Sequence, residues 1–392
     1  MTAALRALAA ISICLAMQAA YVQAQGYQTR AQAAYVIDHN TGQVLLEHNA
    51  DLPLPPASMS KLMTLAMTFE ALEDGRLALS TVLPVSQHCM DYGGSTMFLT
   101  TRDRVSVEDL IRGVVVLSGN DASCVLGEAL SPDGTEDGFA QMMTARAAQL
   151  GMTQSTFRNA SGWPAAGHVM SMRDLGILAE RLITEYPLHY TYFAETEFAF
   201  DGRAPDNRFN RNPLLAMNIG ADGLKTGHTE EAGYGLVGSA VQGDRRVTFV
   251  ITGLGTPQDR ADEAERIVNW GFRQFAEREV VAAGTILTEA DVFLGDRPSV
   301  GLTIEDGVTL LLPALLADDA VTGEVVFSGP LEAPVLAGTE VGELIVRAEG
   351  LADHRVPLVV AEDVATGGFL VRIRTAAGIV LQEVLGGRLG EG

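Results

Sequence analysis

Only two of the 27 basic residues are lysines, Lys61 and Lys225, and both lie in patterns able to perform acyl transfer. A lysine amine can lose its proton and act as a base, which an arginine guanidinium cannot do. Lys61 closes Ser58-Met59-Ser60-Lys61 and Lys225 opens Lys225-Thr226-Gly227, with Ser118-Gly119-Asn120 between them. A serine three residues ahead of a lysine at a helix start puts both side chains on one face, about a turn apart. A neutral amine there takes the hydroxyl proton and turns Ser58 into a nucleophile. Burial and the charge of Lys225 both disfavour the ammonium form of Lys61. Ser118 can relay a proton to a leaving amine, and Asn120 can hold a substrate amide or orient Lys61. Lys225 and Thr226 suit a substrate carboxylate, with Lys225 acting largely as a charge, and Gly227 lets a substrate backbone pair along its strand. The N–H groups of Ser58 and His228 are the natural oxyanion donors. Taken singly, each pattern also has a plain reading: a helix-start serine, a cap and an edge lysine beside a turn. Their occurrence together and in order favours chemistry.

These residues need elements to hold them. Residues 33–48 read as a hairpin around Asn40-Thr41-Gly42. After Pro55-Pro56-Ala57 a helix is expected from Ser58 to Asp74, with Leu62, Leu65, Phe69 and Leu72 on one face. Helical patterns recur at 106–117, 121–130, 138–149 and 172–185. From Leu224 the period changes to two, giving strands at 234–241 and 246–253 about a Gly243-Asp244 turn, followed by a helix at 259–277. This is an α+β arrangement, an antiparallel sheet packed on a helical cluster. Short alternating runs at 300–302, 308–312, 323–327, 341–346 and 356–360 then read as a small all-β domain. After Gly367-Gly368, an amphipathic helix with Phe369, Ile373, Ala377 and Val384 on one face suits a membrane interface or packing on its own domain. The expected organisation is 1–24, 25–278, 279–364 and 365–392.

The formal net charge of −22 excludes nonspecific nucleic-acid binding, which needs a basic surface. Arg6, the apolar stretch from Ala7 to about Val22 and Val22-Gln23-Ala24 form an export signal with a cleavage site; an uncleaved anchor is the alternative. Cys89 and Cys124 would then occupy an oxidising compartment, either as a pair or as two separate thiols. No His, Cys or carboxylate cluster has metal-ligand spacing, and no glycine-rich loop cradles phosphate. Neither a metal nor a cofactor is expected.

The ordered trio resembles the Ser-x-x-Lys, Ser-Asp-Asn and Lys-Thr-Gly set of β-lactamases and penicillin-binding proteins, with Gly119 in place of Asp. Further stretches extend the likeness over nearly the whole mature chain: Met97-Phe98-Leu99, Asn210-Arg211-Asn212, Asp222-Gly223-Leu224-Lys225-Thr226-Gly227-His228-Thr229 and Trp270-Gly271-Phe272. The chain resembles the low-molecular-mass penicillin-binding proteins that are serine D-alanyl-D-alanine carboxypeptidases. The resemblance implies a β-lactamase/transpeptidase-like domain followed by the β-domain and the amphipathic tail. It implies removal of the terminal D-alanine from peptidoglycan stem pentapeptides through an acyl-enzyme on Ser58, in cell wall biogenesis and the maintenance of cell shape. It also implies covalent inhibition by β-lactams, no cofactor, and a periplasmic location at the inner-membrane surface. Arg260, 35 residues past Lys225, takes the role of the family's carboxylate-binding arginine, and Arg211 that of a second site arginine. Where family members often carry a cysteine after Ser-Gly-Asn-Asp-Ala, this chain has Ser123, so sensitivity to thiol reagents is not implied. The rivals are a DD-endopeptidase, a β-lactamase and a wall-binding scaffold with a vestigial site. No Glu-x-x-Leu-Asn pattern stands between the second and third motifs, which counts against a class A β-lactamase.

Overall fold

A computed structural model describes residues 27–203, 207–348, 353–369 and 373. The expected export signal and nearly all of the expected amphipathic tail lie outside the described residues. No described helix is long and apolar enough to cross a membrane.

A five-stranded antiparallel sheet organises the first unit. It comprises β1 (Ala33–Asp38), β2 (Val44–His48), and, after an excursion through the helices, β5 (Ala221–Thr229), β6 (Gly233–Gln242) and β7 (Arg245–Leu254), in the order β2-β1-β7-β6-β5. A short ribbon, β3 (Val82–Pro84) with β4 (Arg104–Ser106), lies within the excursion. Both faces of the main sheet are covered, so the strands read as continuous apolar runs. Ala33, Tyr35 and Ile37 face the helical cluster, whereas Ala34 and Val36 face the last helix, as the period-two pleat requires.

The helical cluster contains α1 (Lys61–Glu73), α2 (Gln87–Met90), α3 (Val107–Arg112), α4 (Asn120–Leu130), α5 (Glu136–Gln149), α6 (Met172–Glu185) and α7 (Pro187–Tyr190). Ser106, Thr135 and Ser171 cap α3, α5 and α6, each hydroxyl accepting an otherwise unpaired backbone N–H. On the opposite face, α8 (Pro257–Arg273) begins behind Thr256, whose Oγ1 accepts from Asp259 N, with Pro257 at its first position.

Three helix boundaries differ from the sequence reading. Ser58 lies on a single 3-10 turn, Ala57–Ser60, and the α-helix proper starts at Lys61. The expected helix 106–117 becomes π-helical at Gly113–Leu117 and stops at Ser118. The last helix ends at Arg273, because Phe275 already pairs with Pro313.

The second unit contains β8 (Phe275–Val281), β9 (Thr288–Phe293), β10 (Ser299–Thr303), β11 (Val308–Pro313), β12 (Val321–Phe327), β13 (Leu331–Glu332), β14 (Glu340–Ala348) and β15 (His354–Val360). Six form a sheet in the order β12-β14-β15-β10-β9-β13, and β8 pairs with β11. Val300, Leu302, Leu312, Leu344, Val346 and Leu358 build its own apolar core. Its first strand starts a few residues before the expected boundary at 279.

Candidate active site

The serine-bearing turn is seated by packing against the sheet. Met59 is buried and points at Gly227 on β5 and Gly235 on β6, which are register partners. A Cβ on Gly227 would stand 3.0 Å from both Met59 Cγ and Pro56 O, and one on Gly235 would stand 2.8 Å from Met59 Cε. The paired glycines therefore form a notch that receives Met59 and fixes Ser58 beside the sheet edge. Gly227 also packs against this turn, a role beyond the substrate pairing expected of its backbone. Gly235 carried no recognisable signal, since its function depends on its cross-strand partner.

Lys61 is fully buried, and its Nζ has three neighbours. It lies 2.9 Å from Ser58 Oγ, 2.7 Å from Asn120 Oδ1 and 2.5 Å from the Ser161 carbonyl. The amide of Asn120 is oriented by its other end, because Nδ2 donates to Gly93 O at 2.8 Å. Asn120 Oδ1 and Ser161 O can only accept. A neutral amine has two N–H bonds for these acceptors and one lone pair, which is left facing the Ser58 hydroxyl. Burial, followed by the charge of Arg211, pushes the Lys61 amine down to about 7, with the carboxylates of Asp121 and Glu136 pulling the other way. Burial and Arg211 thus make the amine a base, and the three contacts aim it at Ser58.

Lys225 is also buried. Its Nζ donates to Ser118 Oγ at 3.0 Å and to Thr226 O at 3.1 Å. Burial holds this amine well below the ordinary lysine range, and the charges of Lys61, Arg211 and Arg260 add to the effect. The sequence reading gave Lys225 a charge role that arginine could fill. Here the amine is buried and donates to the Ser118 hydroxyl, so a guanidinium would have to displace its neighbours, and the expected outcome of Lys225→Arg is revised downward.

Three non-glycine residues around the site adopt left-handed backbone: Ala57 (φ 48°), Phe98 (φ 59°) and Ser118 (φ 60°). Each costs about 1 kcal/mol or more and persists only where its surroundings enforce it. Ser118 is set by the end of the π-helical turn, with Gly119 N donating to Gly113 O at 2.9 Å. Around Phe98, the Asp121 carboxylate accepts from Met97 N at 2.9 Å and Leu99 N at 3.1 Å.

The flanking motifs serve as supports. Asn210 Nδ2 donates to Glu195 O and Asn212 Nδ2 to Gly223 O, both at 2.9 Å. Between these clamps, Arg211 donates to Ser95 Oγ at 2.9 Å and to Leu117 O at 2.5 Å, just before Ser118. Arg260, in the first turn of α8, donates through Nη2 to Arg211 O at 3.2 Å. It is only 8% exposed, and its buried Nε has no hydrogen-bond partner. The His228 ring is exposed and stacked on Tyr234 with centroids 3.8 Å apart. Thr226 is buried beside Lys225.

The structure therefore brings Ser58, Lys61 and Asn120 into one hydrogen-bonded group and Ser118 and Lys225 into a second. Arg211 and Arg260 lie behind them. The sequence reading did not find Ser161 and gave no site role to the segment Gly93–Ser95, whose carbonyls receive Asn120 Nδ2 and, at 2.7 Å, Asn120 N. These contacts are made by backbone, which carries no side-chain signature. Cys89 and Cys124 are joined as a disulfide, which settles the open question of two thiols. The bridge ties α2 to α4, whose first residue is Asn120.

Family comparisons agree with this geometry. A model described as D-alanyl-D-alanine carboxypeptidase (peptidase S11) matches residues 18–256. The chain belongs to this family. A second model, described as penicillin-binding protein 5, C-terminal domain, matches residues 275–366. The D-alanyl-D-alanine carboxypeptidase DacC of Escherichia coli is 34% identical over 351 residues, covering 88% of this chain and 86% of the relative. DacF of Bacillus subtilis is 30% identical, covering 89% of each. Penicillin-binding protein 5 of Haemophilus influenzae superposes with a TM-score of 0.73 at 31% identity, covering 86% of this chain and 98% of that one. Penicillin-binding protein D2 of Listeria monocytogenes, solved in its ampicillin-bound form, gives 0.56 at 34% identity, covering 62% and 97%. The resemblance read from the motifs is borne out, as is the expected fold class in its α+β domain followed by an all-β domain. This carboxypeptidase family is one of serine acyl-enzymes.

Proposed function

We propose that this enzyme removes the terminal D-alanine from peptidoglycan stem pentapeptides through an acyl-enzyme on Ser58, and that β-lactams acylate the same serine. The observation that carries the reading is the Lys61 amine, held by two obligate acceptors with its third position on Ser58 Oγ. Ser58 Oγ attacks the carbonyl carbon of the penultimate D-alanine while its proton passes to neutral Lys61. The N–H groups of Ser58 and His228 receive the oxyanion. The tetrahedral adduct collapses as the C–N bond breaks. Ser118, bonded to Lys225, relays to the leaving amine the proton that Lys61 took, so that Ser118 keeps its hydroxyl and Lys61 is neutral again. Water then attacks the ester, with Lys61 again as base. Thr226 and Arg260 bind the terminal carboxylate, helped by the positive field of Arg211.

The export signal expected at residues 1–24 supports a periplasmic enzyme, and the amphipathic pattern after Gly367-Gly368 supports peripheral attachment to the cytoplasmic membrane. The reading is tested by incubation with a D-Ala-D-Ala-terminated peptide. It predicts D-alanine release by the wild type and none by Ser58→Ala. Equal release by both would overturn it, and rapid turnover of penicillin would favour a β-lactamase.

A further inference from the structure

The two carbonyls that fix the base are themselves held from behind by one carboxylate. Glu136 opens α5 directly after its cap, Thr135, and is only 5% exposed. Its Oε1 accepts from Ala160 N at 2.9 Å. Its Oε2 accepts from Tyr92 Oη at 2.6 Å and from His88 Nε2 at 2.8 Å. A buried carboxylate requires donors of this kind, and such bonds are short and strong.

The place of these donors in the chain gives them a wider effect. Ala160 immediately precedes Ser161, whose carbonyl receives Lys61 Nζ. Tyr92 immediately precedes Gly93, whose carbonyl receives Asn120 Nδ2. Asn120 Oδ1 in turn receives Lys61 Nζ. The carboxylate therefore closes a ring that runs through Ala160-Ser161, Lys61, Asn120 and Gly93-Tyr92. Neighbouring contacts stiffen it. Thr64, one turn along α1 from Lys61, donates to Ala160 O at 2.7 Å. Gly127 of α4 lets the other segments close in, since a Cβ there would stand 2.8 Å from Phe139 Cδ1 and 3.2 Å from Ala160 Cβ.

Glu136 also acts through its charge. The Lys61 amine is pushed down by burial and then by Arg211, and the carboxylates that oppose this are Asp121 and Glu136. Two other titratable groups face Glu136 directly. Burial, followed by the charge of Glu136, holds the Tyr92 phenol above its ordinary range, so its O–H remains a donor at working pH. His88 has a largely exposed side chain. Its bond to Glu136 pushes its imidazole up, burial opposes this, and the charges of Glu136, Glu128 and Asp137 add to the rise.

We propose that Glu136 is a positioning residue for the catalytic base, aiming the Ser161 and Gly93 carbonyls through its bonds to Ala160 and Tyr92. The inference rests on the reading of Lys61 as the base and adds the residue that holds its frame.

The test follows benzylpenicillin acylation of Ser58 by mass spectrometry across pH 5 to 9 with the full chain. Glu136→Gln keeps an oxygen for Ala160 N and sets an amide against Tyr92, but carries no charge. Loss of that charge moves the Lys61 midpoint down from about 7. Below the wild-type midpoint this variant should therefore acylate about twofold faster than the wild type, while its plateau lies about twofold to threefold lower. A packing defect alone slows the reaction at every pH and gives no such crossing. The crossing should be at least as large when both chains also carry His88→Gln, which takes the imidazole titration out of the comparison. Glu136→Ala releases both carbonyls and should lower the plateau about tenfold to 100-fold. Tyr92→Phe removes one hydroxyl, keeps the ring against Trp163, and should lower it about threefold to tenfold. An unchanged plateau in Glu136→Ala or Tyr92→Phe, or a Glu136→Gln rate reduced by one factor at every pH, would overturn the positioning role and leave Ser58 and Lys61 in theirs. A wild type that forms no adduct on Ser58, or one whose rate is flat with pH, would overturn the base reading and the positioning role with it.

Discussion

On the helical wall of the groove, Lys61, Asn120 and Ser118 each already hydrogen-bond to a protein group, whereas on the strand wall Arg260 keeps a buried Nε without a partner. The first wall has its reacting atoms fixed by groups that cannot trade roles: two carbonyl acceptors on Lys61 and one on Asn120. The second is the free edge of a sheet, with cations gathered behind it. The difference separates chemistry from recognition. Preorganised donors and acceptors need no rearrangement as charge develops, while an unsatisfied buried cation favours an anionic ligand that completes its hydrogen bonds.

The sharpest break of this comparison is Lys61→Arg. It removes the amine placed 2.9 Å from Ser58 Oγ to take its proton, and labelling with a fluorescent penicillin should slow by about 10²–10⁴-fold. Lys61→Gln, which is smaller and uncharged, should fall by as much if the lost function is the base. Lys225→Arg should reduce the same rate by about 100-fold, because the guanidinium cannot replace an amine fitted to Ser118. Near-normal labelling would return Lys225 to a simple charge role and erase the revision made from its burial. Arg260→Gln tests the strand wall alone. Loss of a charge-assisted hydrogen bond costs about 1.5–3 kcal/mol, so KM for a D-Ala-D-Ala peptide should rise about 10–100-fold with kcat little changed. A matching fall in kcat would show that this wall also takes part in the chemical step. Smallest is Arg347→Ala in the second unit. It breaks exposed pairs with Glu324 at 2.6 Å and Asp353 at 3.2 Å, and should cost less than about 1 kcal/mol in thermal unfolding, with peptide turnover unchanged.

Side-chain chemistry was legible in the sequence and backbone chemistry was not. Ser58, Lys61, Ser118, Asn120 and Lys225 could be picked out because each motif consists of residue types that a base, a relay or a nucleophile requires. The Ser161 carbonyl on Lys61 and the Gly93 and Ser95 carbonyls on Asn120 could have been supplied by any residue. Long-range placement was hidden for a similar reason. The Gly227–Gly235 notch exists only once β5 and β6 are in register, and the π-helical turn before Ser118 reads as ordinary helix by its apolar spacing. In the second unit, the five alternating runs corresponded to strands. Strand β8 was missed because Phe275–Val281 continues directly from a helix and has Glu277, Arg278 and Glu279 in its middle, a pattern without clear alternation. Strand β13, with two residues, has no periodicity to read.

The central claim is that Lys61 is a neutral base at working pH, and the direct measurement is the pH profile of Ser58 acylation. With its amine pushed down to about 7, Lys61 is protonated and inactive below that value and neutral above it. The second-order rate of benzylpenicillin acylation, followed by mass spectrometry of a single adduct on Ser58, should therefore fall about tenfold per pH unit below the midpoint and level off above it. A rate that stays flat from pH 5 to 9, or an adduct on another residue, would contradict the account.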